Sequence, residues 1–242
     1  MKALVVGGSS GIGLSIVINL LGKKGCDGVY VIDKAPFPAE YDSDLITYIF
    51  CDLSLGDFSC LDELDDVRAL YITAGFGHLM FFQELSEAYI QNCFSVNAVA
   101  PILIIRHFYN RILSCDEFHC AVMVSIAGRL SSPLFSVYSA TKAALSKFIE
   151  AVNVELDVQG SKNRILEVSP GSLKGTSFTG GPSQPKMTAA LADEIIRRSE
   201  NKEELYIPQY EEVFKDVIVR YEADAHKFGL ESFWYKKNEA KD

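Results

Sequence analysis

Short apolar runs alternate along the chain with longer mixed stretches whose apolar residues recur at helical spacing. The runs are consecutive Val, Ile, Leu and Ala residues without polar alternation, which is typical of parallel strands covered on both faces. Strands are predicted at residues 3–6, 29–32, 47–50, 69–73, 121–125, 165–169 and 205–207. Helices are predicted at residues 12–21, 86–113, 136–158 and 188–198, with Pro101 marking a kink or a local break in the second.

The repeated strand–helix–strand order predicts a doubly wound α/β sheet with right-handed crossovers. We expect a single domain at residues 1–208 and a helical tail at residues 209–242 that packs on it. Apolar residues at helical spacing in the tail predict one amphipathic helix, either docked on the body or forming an oligomer contact. Glycine and proline are frequent in residues 171–185, which are interpreted as a lid or as a surface excursion.

Composition and charge narrow the class of protein. The chain has 242 residues, of which 48% are hydrophobic and 23% charged, a balance that excludes disorder. Its net charge of −9 argues against a protein that neutralises nucleic-acid phosphates. The longest apolar stretch, residues 96–105, is well short of the roughly 20 residues that span a bilayer. Glycine follows the N-terminus too soon for a signal peptide.

The six cysteines include no CxxC pair, and the four histidines are dispersed. We therefore expect reduced thiols and no metal site. Together with the charge and the short apolar stretches, this predicts a cytoplasmic protein that binds neither nucleic acid nor a membrane.

A glycine cluster lies between the first predicted strand and the first predicted helix. Gly7, Gly11 and Gly13 permit a tight turn and let backbone N–H groups approach a pyrophosphate at the start of the helix. Asp33 follows Gly13 by twenty residues, where a carboxylate accepts hydrogen bonds from an adenosine ribose. Because a carboxylate repels a 2′-phosphate, NAD is favoured; Lys34 partly offsets this, and NADP stays an alternative.

Tyr138 and Lys142 lie one turn apart on a predicted helix and share a face. A neighbouring ammonium lowers the pKa of a phenol, so the pair suits proton transfer to a carbonyl or from an alcohol. Ser125 ends the fifth predicted strand, where its hydroxyl and the phenol can converge on one oxygen. The alternatives are a half-exposed tyrosine beside a solvated amine and an ordinary turn serine.

These residues, together with Asn97 and the Pro170-Gly171 pair, resemble the short-chain dehydrogenase/reductase family over about residues 2–208. The resemblance implies a Rossmann fold, a doubly wound and mostly parallel seven-stranded sheet with helices on both faces. It also implies an NAD(P)-dependent oxidoreductase that interconverts a secondary alcohol and a ketone. A dinucleotide-binding regulator without catalytic activity is the alternative. A homodimer or homotetramer is expected through the helices that begin at Ser86 and Ser136.

The resemblance also implies residue roles. Tyr138 is the general acid/base, Lys142 holds the nicotinamide ribose and lowers the pKa of Tyr138, Ser125 hydrogen-bonds the substrate, and Asn97 keeps a helix kink and a water of a proton relay. Cofactor contacts are implied for Gly7, Ser9, Ser10, Gly11, Ile12, Gly13, Asp33, Asp52, Leu53, Ala74, Gly75, Tyr138, Lys142, Pro170 and Gly171. A loop at residues 173–186 is expected to close over the substrate.

The sequence departs from the family pattern in three places. Thr73 stands where the family has Asn, so support of the sheet is expected to differ. Thr176 lies one residue later than usual after Pro170-Gly171, and Leu205-Tyr206-Ile207-Pro208 replaces the strand that usually ends in Asp-Gly-Gly. Four apolar residues after Gly75 line an apolar substrate cleft or, as the favoured reading, pack in the core: Phe76, Leu79, Phe81 and Phe82.

Overall fold

The computed structural model describes residues 1–176, 178 and 181–239. Within these residues the chain forms a seven-stranded sheet of order β3-β2-β1-β4-β5-β6-β7 in which every pair is parallel. The strands are β1 Lys2–Val6, β2 Gly28–Asp33, β3 Ile46–Phe50, β4 Val67–Ile72, β5 His119–Met123, β6 Ile165–Val168 and β7 Leu205–Tyr206. The predicted Rossmann-type sheet is confirmed, and it is entirely rather than mostly parallel.

Helices cover both faces of the sheet. They are α1 Gly11–Leu21, α2 Glu87–Phe94, α3 Ala100–Leu113, α4 Ser136–Val158, α5 Pro185–Glu200, α6 Lys215–Ala223 and α7 Ala225–Glu239. One core joins the sheet to α3 and α4 through side chains such as Ile104 and Leu145. The other joins it to α1 and α5 through side chains such as Ile16 and Ile195. The central strands are mostly apolar because both of their faces are buried, whereas the edge strand β3 is largely exposed.

The predicted long helix at residues 86–113 is two α-helices joined by a π-helical segment, Ser95–Val99. The predicted break is therefore present, but it precedes Pro101. Pro101 is the second residue of α3, directly after the π segment, where the hydrogen-bond pattern is already changing and a missing N–H costs little.

Two crossovers depart from the predicted strand–helix–strand repeat. Residues 34–45 contain only the short turn Ala39–Tyr41, and residues 51–66 contain only Leu53–Leu55 and Ser59–Leu61, all of them 3-10 helices. No α-helix covers the edge strand from these crossovers, and the side chain of Phe50 is 66% exposed.

The tail folds as two helices rather than the predicted single one. A π-helical turn, Tyr210–Phe214, precedes α6, and Asp224, in extended conformation, separates α6 from α7. The ring of Phe233 lies 5.8 Å from that of Phe81, and Lys236 Nζ donates to Ser132 Oγ at 2.7 Å. The tail is thus docked on the body, while its separation from residues 1–208 stays a prediction and residues 240–242 lie outside the described range.

Within the described residues one helical run, Glu87–Leu113, is long and apolar enough to cross a membrane, with a mean hydropathy of 1.5. Core helices of soluble proteins meet the same test. Here Ile104, Ile105, Phe108 and Ile112 of this run are buried against the sheet. The absence of a membrane partner stays a prediction.

Burial along α4 gives a test of the core. Leu156 is fully buried and Val158 is 82% exposed on the same helix. Leu156→Ala should lower the free energy of unfolding by about 2–5 kcal/mol because it leaves a cavity. Val158→Ala should change it by less than about 0.5 kcal/mol. Urea unfolding measures both, and equal losses would contradict the placement of α4.

Candidate active site

The glycine turn between β1 and α1 depends on the absence of side chains. Gly7 and Gly11 have φ angles of +84° and +53°, which non-glycine residues rarely adopt. A Cβ at Gly13 would lie 2.1 Å from the carbonyl oxygen of Gly7, and one at Gly7 would lie 2.6 Å from the backbone nitrogen of Ala74. The start of α1 is therefore pressed against the ends of β1 and β4.

Thr73, the departure from the family pattern, joins these two strand ends. Its hydroxyl lies 3.0 Å from the carbonyl oxygen of Val6 and 3.1 Å from that of Gly7, and donates to them. A Cβ at Gly13 would also lie 2.5 Å from Thr73 Oγ1. The threonine thus fills the space beside Gly13 and bridges β1 and β4 through one hydroxyl.

Asp33 lies at the end of β2 and is bonded to the glycine turn. One carboxylate oxygen accepts a hydrogen bond from Ser9 N at 3.0 Å, and the other accepts one from Ala35 N at 3.0 Å. Ser9 Oγ in turn donates to the carbonyl oxygen of Ala35 at 3.0 Å. These bonds place the carboxylate beside the turn, as the predicted ribose contact requires.

The other predicted cofactor residues occupy the same edge of the sheet. Asp52 caps the turn Leu53–Leu55, and its hydrogen bonds with Ser54 lower the pKa of its carboxyl group. Leu53 is buried in the core, Ser10 is the N-cap residue of α1, and Ile12 packs on the core beneath α1. Ala74 and Gly75 follow β4, and Pro170 and Gly171 follow β6.

Residues from the segment before α5 sit on the start of α1, which the sequence did not indicate. Ser183 Oγ accepts a hydrogen bond from Gly11 N at 2.7 Å. Thr176 lies beside Gly11, at 3.7 Å from the position of a Cβ there. The Gly11 N–H, which is a predicted phosphate donor, is thus bonded to Ser183 in this structure. Pro185 and Lys186 of the predicted loop belong to α5, and residues 177, 179 and 180 lie outside the described range.

Ser125, Tyr138 and Lys142 come together at the carboxyl end of β5. Tyr138 is 9% exposed and Lys142 is 2% exposed. Lys142 Nζ lies 5.8 Å from the centroid of the Tyr138 ring and donates to the carbonyl oxygen of Met123 at 2.9 Å. Ser125 Oγ accepts from Ala127 N at 3.1 Å and donates to the carbonyl oxygen of Pro170 at 3.5 Å, and it lies near enough to the Tyr138 hydroxyl to lower its pKa.

The pKa shifts of Tyr138 and Lys142 differ from those that the sequence predicted. Burial raises the pKa of Tyr138 to about 12, and the hydrogen bond from Ser125 opposes that rise. Burial lowers the pKa of Lys142 to about 8. The expected lowering of the Tyr138 pKa by Lys142 is not found, because the ammonium is directed to Met123 and the groups are desolvated together. Ser125 is the neighbour that favours the phenolate.

Asn97 lies in the π segment, fully buried, and binds the chain that leaves β4. Its amide donates to the carbonyl oxygen of Phe76 at 2.8 Å, and its carbonyl oxygen accepts from Phe76 N at 3.0 Å. A Cβ at Gly75 would lie 3.3 Å from Asn97 Oδ1 and 3.3 Å from Lys142 Nζ. Asn97 therefore fixes Gly75 beside Lys142, and its predicted role in a proton relay stays a prediction.

Aromatic rings surround Tyr138. The ring centroids of Phe135 and Phe178 lie 5.5 and 5.2 Å from that of Tyr138. Phe214 of the tail packs on Gly171, where a Cβ would lie 2.5 Å from the ring. Phe178 belongs to the loop that is expected to close over the substrate, although the sequence did not single it out, and Phe214 is far from every motif along the chain.

The favoured core packing of the four residues after Gly75 is wrong for three of them. Phe76 is half-buried and its ring contacts that of Tyr89 at 5.8 Å. Leu79, Phe81 and Phe82 are 47%, 44% and 66% exposed. They lie on the segment between β4 and α2. No group of three or more metal-ligating side chains occurs among the described residues.

Comparisons with known proteins agree with this geometry. The profile of the family described as short chain dehydrogenase matches residues 1–186. An uncharacterized oxidoreductase of Saccharomyces cerevisiae is 27% identical over 199 residues, which are 78% of this chain and 60% of that protein. A short-chain dehydrogenase structure from Streptomyces avermitilis has a TM-score of 0.73 at 21% identity, with 100% of this chain and 99% of that chain covered. A structure of 4-hydroxyisoleucine dehydrogenase complexed with NADH and succinate has a TM-score of 0.71 at 21% identity, with 86% of this chain and 97% of that chain covered.

The family match extends over well more than half of the sequence. The chain therefore belongs to the short-chain dehydrogenase family, a family of oxidoreductases, and the resemblance found in its motifs is confirmed. It spans 60% of the length of its yeast relative. The roles of the individual site residues stay predictions.

The buried lysine gives a pH-dependent test. Because the pKa of Lys142 is about 8 in the folded chain and 10.5 ordinarily, the unfolded chain binds more protons between these pH values, and stability rises with pH there. Lys142→Met should make that rise smaller than in the wild type, as measured by urea unfolding at several pH values. Lys147→Met, at an exposed position of α4, should retain the wild-type slope. Equal slopes for all three proteins would contradict the burial of Lys142.

Proposed function

We propose that the chain is an NAD(P)-dependent oxidoreductase that interconverts a secondary alcohol and a ketone, with Tyr138 as the general acid/base. One observation carries the proposal: Ser125, Tyr138 and Lys142 converge at the carboxyl end of β5, beside the turns that follow β1 and β4. Ligands of open α/β sheets bind at this edge, where the strand order reverses.

The residues present fit a dinucleotide. Gly7 and Gly13 let α1 begin directly against the ends of β1 and β4, and a pyrophosphate at this helix start would take the place of Ser183 Oγ on the Gly11 N–H. The Asp33 carboxylate lies beside the glycine turn, where it can accept hydrogen bonds from the ribose hydroxyls. It favours NAD over NADP because it would repel a 2′-phosphate. Structures of similar fold are complexed with NADH or with NADP(H), which supports a nicotinamide dinucleotide, while the preference for NAD rests on Asp33 alone. When bound, nicotinamide supplies or accepts the hydride.

The other contacts implied by the family lie along the same edge. We assign them to Ser9, Ser10, Ile12, Asp52, Leu53, Ala74, Gly75, Lys142, Pro170 and Gly171.

Residues of the chain would transfer the proton to or from the substrate. Ser125 hydrogen-bonds the substrate oxygen and Tyr138 donates a proton to it in reduction or removes one in oxidation. The raised pKa of Tyr138, about 12, keeps the phenol protonated at neutral pH and suits it to donation. Lys142 sits between Gly75 and Tyr138, where its amine can bind the nicotinamide ribose.

The surroundings of Tyr138 favour substrates with apolar substituents, since the rings of Phe135 and Phe178 pack beside it. We also propose a cytoplasmic homodimer or homotetramer that associates through α3 and α4. Exposed apolar side chains on these helices support this interface: Leu103 and Val154.

The first test of the reaction is Tyr138→Phe. A panel of alcohols and ketones is screened with both nicotinamide cofactors by the absorbance of the reduced ring. The variant should lose about 10²- to 10⁴-fold in kcat because the proton donor is gone, while NAD affinity stays near that of the wild type. Tyr109→Phe, whose hydroxyl contacts Gln159 away from the site, should keep full turnover.

The same experiment addresses the alternative function. A dinucleotide-binding regulator would turn over none of the panel in the wild type and would bind a partner only with the nucleotide present. Unchanged turnover in Tyr138→Phe would refute the assignment of this residue as the acid/base.

Cofactor choice is tested at Asp33. Asp33→Ala removes the carboxylate that bonds ribose hydroxyls and repels a 2′-phosphate. NAD should bind at least about tenfold more weakly, as expected for a lost hydrogen bond to a charged group, and NADP should bind more tightly than in the wild type. Calorimetry gives the dissociation constants, with Asp44→Ala as an exposed control on the same crossover. Equal or tighter NADP binding by the wild type would overturn the preference.

A further inference from the structure

A buried carboxylate lies beneath the candidate active site and has no role in the scheme above. Glu167 stands in the middle of β6, an otherwise apolar strand, and is 3% exposed. Arg129 donates to its Oε1 from Nε at 3.0 Å and from Nη2 at 2.8 Å. Ser169 Oγ donates to the same oxygen at 2.7 Å, and Ser146 Oγ donates to Oε2 at 2.8 Å. A glutamate this deeply buried requires such partners.

The three donors come from three separate elements that carry the site. Arg129 directly follows the 3-10 turn Ile126–Gly128, whose N-cap residue is Ser125. Ser146 lies one turn beyond Lys142 on the same face of α4. Ser169 immediately precedes Pro170-Gly171. The Glu167 carboxylate therefore contacts three segments: the turn after Ser125, the helix α4 that carries Tyr138 and Lys142, and the Pro170-Gly171 turn.

The same segments are in close contact with each other, so they can move little relative to one another. A Cβ at Gly128 would lie 2.7 Å from the backbone of Lys142 on α4. The backbone N–H of Ile126 donates to the carbonyl oxygen of Pro170 at 2.9 Å. A shift of the Ser125 turn is thus transmitted both to α4 and to the Pro170-Gly171 turn.

The geometry points to Glu167 as a positioning residue: through Arg129, Ser146 and Ser169 its carboxylate sets the relative placement of the Ser125 turn, α4 and the Pro170-Gly171 turn. The inference rests on the proposed function, because it uses that function's site. The hydrogen bonds of the Glu167 side chain go to Arg129, Ser146 and Ser169, and none goes to Ser125, Tyr138 or Lys142. Its effect is on the distance and orientation of the groups that do.

The principal variant is Glu167→Gln, which removes the charge and nearly preserves the shape. Misplacement of the catalytic groups should lower kcat roughly 10- to 100-fold, with a smaller change in KM. Displacement of the Pro170-Gly171 turn should weaken the binding of NAD more than that of ADP-ribose, which lacks the nicotinamide. Calorimetry with both nucleotides measures this affinity ratio without any turnover.

Two further variants separate positioning from stability. The double variant Glu167→Leu with Arg129→Leu removes both charges, so no unpaired charge stays buried and the Tm should remain near that of the wild type. It should still show the lowered kcat and the lowered ratio of NAD to ADP-ribose affinity. Glu150→Gln, which breaks an exposed pair with Lys147 on α4, should leave both quantities unchanged.

The outcomes distinguish this inference from the proposed function. A folded double variant with wild-type kcat and a wild-type affinity ratio would overturn the role of Glu167. A wild-type chain that binds NAD but oxidises and reduces nothing would overturn the proposed function, while the affinity ratio would still decide whether Glu167 positions the site.

Discussion

The contact between the backbone of Gly13 and the carbonyl oxygen of Gly7 determines where everything else at the site can lie. A side chain at residue 13 would overlap that oxygen, so α1 can start against the end of β1 only with glycine there. From this start the Gly11 N–H donates to Ser183 at the sheet edge, and the Thr73 hydroxyl links β1 to β4. Because the strand order reverses between β1 and β4, the crevice of the fold opens at this place.

Burial of ionisable groups is the second constraint. Tyr138, Lys142 and Glu167 are all nearly inaccessible to solvent, and each is held by a hydrogen bond from or to the polypeptide. Desolvation disfavours the charged forms of Tyr138 and Lys142, which keeps the phenol neutral. The desolvation of the Glu167 carboxylate is instead offset by hydrogen bonds from Arg129 and from the hydroxyls of Ser169 and Ser146.

Features encoded locally could be predicted from the sequence. The apolar runs predicted the seven strands, and the glycine spacing predicted the turn between β1 and α1. The spacing of Tyr138 and Lys142 predicted that they share one face of a helix. Features that depend on distant segments could not. Ser183 meets Gly11 across 172 residues of sequence, and no local pattern marks that contact. The pKa of Tyr138 likewise depends on how completely the fold encloses it, which the spacing to Lys142 does not reveal.

The π segment Ser95–Val99 has a consequence for the angular arrangement of the helices around it. A π turn holds one residue more than an α turn, and each residue of a helix corresponds to about 100° of rotation. Side chains before and after the segment therefore follow two different angular phases, although the chain continues in one direction. Asn97 stands where one phase gives way to the other, so it can point toward Phe76 while Ile104 and Phe108 still face the sheet.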